Sequence, residues 1–127
     1  MDKWFTTMEV NGVKVETFIE KAEIVEGDNL TGTLYISSVH DEETIDCILL
    51  KALKVMADGQ YKIIGKHSFE LVGNIHSKDM EIVPFELIPD ERWVCSEHEH
   101  IVFQTIVTFL NGTEIKDEGI VTYVTAE

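Results

Sequence analysis

The chain has 127 residues, 44% hydrophobic and 27% charged, a balance that suits one globular domain over residues 1–127 and excludes a disordered chain. Ten Lys and Arg against 24 Asp and Glu leave a net charge of −14, with Arg92 the lone arginine. That balance excludes nucleic acid and anionic membrane surfaces as partners, because both need clustered cations.

In chain order, residues 4–10 and 13–20 read as a hairpin. Val13, Val15, Thr17 and Ile19 share one phase of a period-two pattern, and Asn11-Gly12 before them is a preferred pair for a tight type I′ turn. Glu26-Gly27-Asp28-Asn29 is turn material leading into a strand over 30–37, with Leu30, Gly32, Leu34 and Ile36 on its apolar face. The stretch from Ile45 to Ala57 is apolar in both phases. Such a pattern predicts a central strand covered on both sides, with a helix as the alternative. Asp58-Gly59 predicts a turn into Tyr61–Ile64. Phe69 with Leu71, and the run Met80 to Ile88, give two further strands, and Pro84 marks an edge or a bulge in the second. Asp90 to His100 reads as an acidic loop containing Trp93. Residues 101–110 and 120–125 close the count with β-branched strands. About seven to nine strands of this length form a two-sheet, immunoglobulin-like sandwich, an all-β fold with no long helix.

Three segments carry a family resemblance: Val15-Glu16-Thr17, the run Glu26 to Leu34 (EGDNLTGTL), and Ile45 to Lys51 (IDCILLK). Together with Pro84-Phe85-Glu86-Leu87-Ile88-Pro89, they resemble the bacterial sporulation-control protein family, which has an arrestin-like fold. The match spans roughly residues 13 to 110. Its motifs are turns, structural glycines and core apolar positions. The resemblance implies a non-enzymatic adaptor or regulator acting through protein–protein contact, in sporulation or cell-state control. Family members carry two such domains in tandem, and these residues correspond to one. An apolar face that a tandem neighbour would cover is then expected to find a homodimer or a separate protein. The family also has an amphipathic helix near its start, where Asn11-Gly12 here predicts a turn.

No catalytic set is legible. There is neither a Gly-x-Ser-x-Gly elbow nor a glycine-rich phosphate loop, and no cofactor is implied. Cys47 lies in an apolar strand and Cys95 among acidic neighbours, so both read as free thiols without nucleophilic activation. The densest cluster is Cys95-Ser96-Glu97-His98-Glu99-His100. If 98–100 is extended, His98 and His100 point to one side as candidate metal ligands, with Cys95, His76 or Asp79 to complete a set. That arrangement defines the alternative reading, a small metal-binding or metal-dependent hydrolytic domain. Without a second ligand pair, purified protein is expected to carry no stoichiometric zinc. His40-Asp41-Glu42-Glu43 with Asp46 lacks the alternation and Gly of a calcium loop. Trp93, beside Arg92, either covers the end of the sandwich or anchors a partner, which makes the two the candidate partner-binding pair, and the net charge favours a basic protein partner. No run of about 18 apolar residues is present, and the opening residues lack the apolar core of a signal peptide, so a cytoplasmic location is expected.

Overall fold

The computed structural model describes residues 4–10, 12–38, 45–70, 80–110 and 112–125. They form nine strands: β1 (Trp4–Val10), β2 (Val13–Ile19), β3 (Glu23–Val25), β4 (Leu30–Ser38), β5 (Ile45–Val55), β6 (Tyr61–Glu70), β7 (Met80–Leu87), β8 (His100–Phe109) and β9 (Glu114–Val124). A four-stranded sheet in the order β1-β2-β4-β7 faces a five-stranded sheet in the order β3-β9-β8-β5-β6. All pairs are antiparallel except β3 with β9. The predicted two-sheet sandwich is the architecture observed.

The period-two patterns determine which face turns inward. Val13, Val15, Thr17 and Ile19 of β2 are buried, as are Leu30, Leu34 and Ile36 of β4, and they meet Ile48, Leu50 and Ala52 of β5 and Ile101, Phe103 and Val107 of β8. Burying each such side chain contributes about 1.5–3 kcal/mol. Phe85 and Phe103 stack across the two sheets with ring centroids 5.5 Å apart. The first hairpin has the expected register, Val10 opposite Val13, and Gly12 has φ 82°, the left-handed conformation a two-residue turn needs. Asn11 itself lies outside the described residues, as do His40 to Glu43, Leu71, His76 and Asp79.

Three expectations change, and one irregularity interrupts β5. Tyr61–Ile64 and Phe69 belong to one strand, β6, whose register with β5 shifts beside Ala52 and Leu53. β9 begins at Glu114, well before Ile120, and β3 is an unanticipated three-residue strand beside its end. An irregularity between Ile45 and Cys47 turns Ile45 inward, out of phase with Cys47. Finally, the helix alternative for β5 is excluded, and so is its cover on both sides: among the described residues only its inner face meets the opposite sheet.

One polar contact sits in the core. The Thr17 and Thr105 hydroxyls are 2.9 Å apart and buried, joining β2 to β8 across the sandwich. Either one donates. Thr17→Val strands the Thr105 hydroxyl without a partner and is expected to cost about 1–3 kcal/mol, while Thr17→Val with Thr105→Val removes both groups and recovers most of that loss. Urea unfolding of the three variants measures the difference.

Candidate functional site

Residues 90–99 form the connecting loop read from the sequence, with one short helical turn inside it. Asp90 caps a single 3-10 turn, Glu91–Trp93, by accepting the Arg92 backbone N–H at 2.9 Å. Its carboxylate also takes the Arg92 guanidinium, Nη2 to Oδ2 at 2.8 Å and Nε at 3.1 Å to each oxygen. These side-chain bonds, with the backbone bond, hold the Asp90 carboxyl below its usual pKa and raise the guanidinium's. Arg92 is therefore exposed but already paired.

Trp93 corrects the expectation of a surface anchor. Its side chain is fully buried, its indole N–H reaches the Ile64 carbonyl at 3.3 Å, and its ring lies edge-on to Tyr123 with centroids 6.3 Å apart. Room for the indole exists because Gly65 has no side chain: a Cβ there would come within 3.2 Å of the ring. An apolar ring among acidic residues of a connecting segment is driven into the sandwich, where it braces β6.

The following turn contradicts the geometry that the metal reading required. Residues 97 and 98 are in a turn and His100 opens β8, so 98–100 is not extended. Both imidazoles are exposed, and no three His, Cys, Asp or Glu groups gather around a common point among the described residues. The turn is held by Glu99, whose carboxylate accepts the Ser96 backbone N–H at 2.8 Å while its own N–H donates to the Ser96 carbonyl at 3.1 Å. Lys54 donates to the Val94 carbonyl at 2.8 Å and stands 4.0 Å from Glu99. Burial raises the pKa of Cys95, opposed by Lys54 and reinforced by Glu99, so the thiol stays protonated and unreactive near neutrality.

The bond from Ser96, aided by Lys54, depresses the Glu99 pKa. A carboxylate with a depressed folded pKa contributes stability that is present above its unfolded pKa and is lost as pH falls through the folded value. Glu99 and Asp90 both act this way. The melting temperature is expected to drop on acidification through and below the ordinary carboxylate range, and Glu99→Gln is expected to flatten that drop. Thermal scans at stepped pH test this.

The surface that the sequence did not disclose is the outer face of the five-stranded sheet. Cross-strand partners put Leu53 beside Ile63 and Val102, Val102 beside Ile120, and Leu49 beside Ile106, all facing outward. β5 and β8 form the floor, where Leu53 and Ile106 are only 6% and 7% exposed. β6 and β9 form the walls, with exposed Tyr61 and Ile63 on one and Ile120, Lys116 and Glu118 on the other. The concavity measures about 430 Å³. Lys51 stands half-buried in the floor, next to Lys66 and Gln104 in register. Gln104 donates to Glu118 at 2.7 Å, whereas Lys51, Lys66 and Lys116 make no ion pair among the described residues. On this face Lys51 and Lys66 stand side by side, and Lys116 stands on β9 between Glu114 and Glu118. The sequence signal was the second apolar phase of β5.

No helix among the described residues is long and apolar enough to cross a membrane. No protein-family model matches the sequence, and a search of curated proteins finds no match. Among solved structures, the sporulation control protein Spo0M from Bacillus subtilis superposes with a TM-score of 0.70 at 20% identity, over 92% of this chain and 51% of that one. The chain thus spans about half the length of that protein. A structure described as pT26-6p (TM-score 0.48, 10% identity, 97% of this chain and 24% of that one) is too distant to bear on fold or function. So is a β-glucosidase from Listeria innocua (TM-score 0.49, 12% identity, 98% of this chain and 16% of that one). The fold implied by the EGDNLTGTL and IDCILLK segments is the fold observed: the chain is a two-sheet β-sandwich with the fold of that sporulation control protein.

Proposed function

We propose that this domain is a non-enzymatic regulatory module that works by binding another protein, in control of sporulation or cell state. The observation that carries the reading is the likeness to Spo0M over 92% of the chain. The outer face supports it as well, since a concavity lined by apolar residues together with lysines that make no ion pair among the described residues suits a binding surface. The metal-dependent alternative centred on His98 and His100 gains no third ligand among the described residues.

The test is capture of the tagged chain from its host, with quantification of co-purifying proteins, beside a count of heat-resistant spores in a strain lacking it. A protein partner at comparable abundance and an altered spore count are expected. Absence of any partner together with an unchanged count would contradict the reading.

A further inference from the structure

We propose that the outer concavity of the five-stranded sheet is a docking trough for an amphipathic helix of a partner protein, with acidic residues flanking the helix's apolar stripe. This rests on the protein-binding reading and specifies its surface and the chemistry of its ligand.

The dimensions fit a helix. From wall β6 to wall β9 is three strand spacings, about 14 Å, against a helix diameter of about 10–12 Å. The floor strand from Cys47 to Val55 runs roughly 26 Å, which matches about 17 helical residues at 1.5 Å each. Along that floor Leu49, Leu53 and Ile106 offer apolar contact, and Tyr61, Ile63 and Ile120 stand exposed on the rims, where a helix would remove them from water. A flat sheet would not reach the floor. A second copy of this chain would oppose one concave face to another, leave a gap between them, and bring together two chains of net charge −14.

Local charge then selects the helix. Lys51 sits half-buried in the floor beside Lys66 in register, with Gln104 and then Glu118 on its other side, and neither lysine makes an ion pair among the described residues. A partly desolvated ammonium gains most from a carboxylate delivered by the ligand, because the effective dielectric there is lower than in water. The net charge of the chain favours a basic partner only at long range, and screening beyond about 8 Å at physiological salt leaves the contact itself to these lysines.

The experiment uses the purified chain and a displayed library of random 17-residue segments. Enriched segments are synthesised and their Kd measured by fluorescence anisotropy on the wild type, Lys51→Glu, Ile120→Lys and Ile82→Lys. Apolar residues recurring at three and four, flanked by Asp or Glu, are expected in the enriched set. Lys51→Glu is expected to weaken binding at least tenfold and Ile120→Lys at least fivefold. Ile82→Lys, on the strand at the edge of the other sheet, should change nothing. Because Ile120 is 57% exposed, its replacement leaves the core intact. No enrichment, enrichment of basic or aperiodic segments, or affinity indifferent to Lys51→Glu overturns the proposal. Sedimentation showing a dimer that Ile120→Lys breaks also overturns it, in favour of a second copy. If a natural partner still binds the Lys51→Glu and Ile120→Lys variants at full affinity, the trough is refuted while the protein-binding reading stands.

Discussion

Trp93→Ala is expected to lower the unfolding free energy by about 3–5 kcal/mol, the range for removing a large buried aromatic side chain. The indole is fully buried and packed against the glycine face of β6 and the edge of Tyr123. Its loss leaves a cavity that Gly65 cannot fill and removes the donor to the Ile64 carbonyl. Trp93→Phe keeps most of the packing and gives up the hydrogen bond, so it should cost clearly less. The effect extends to the docking face, because Trp93 braces β6, and β6 is one wall of the trough. Chemical denaturation provides the number. A cost under about 1 kcal/mol for the alanine variant would mean that the ring lies at the surface in solution.

Gly32→Ala comes next, with an expected cost of about 3 kcal/mol or more through overpacking. A Cβ on Gly32 would overlap the Phe18 carbonyl oxygen and come within 2.6 Å of the Phe85 ring. Neither neighbour yields easily. The carbonyl is backbone in the β2–β4 ladder, and Phe85 is held by its stack on Phe103. Gly59→Ala is the informative contrast: φ is +90° there, but nothing lies within 4 Å of the added carbon, so only backbone strain of about 1–2 kcal/mol applies. If the two variants melt together, close approach at Gly32 is not what limits the substitution.

How far the sequence disclosed all this follows from where each strand lies. β2 and β4 were legible because one face is buried and the other wet, which writes alternation directly into the residues. The first half of β9 was not. Glu114, Lys116, Asp117 and Glu118 look like loop, yet they sit on a strand whose outer neighbour, β3, reaches only residues 122–124, and charge there protects an open edge. The middle of β6 was lost for the same reason, with Lys66, His67 and Ser68 along the edge of the sheet. β3 is too short to carry a period. At the candidate sites the limit was different. A tryptophan in an acidic segment is conspicuous, but the chain-local pattern does not say whether it points outward or into the core. Apolarity on both faces of β5 was visible too, and it implied a cover that the fold does not supply among the described residues. That discrepancy is what locates the trough.

The most direct test of the trough is amide chemical-shift mapping of the isotope-labelled chain as its captured protein partner is titrated in. The account predicts that the largest shifts fall on residues 47–55, 61–68, 102–108 and 114–120, the floor and walls of the five-stranded sheet, and that they fade in Lys51→Glu. Shifts concentrated on the outer face of β1, β2, β4 and β7, with the five-stranded sheet unmoved, would contradict it.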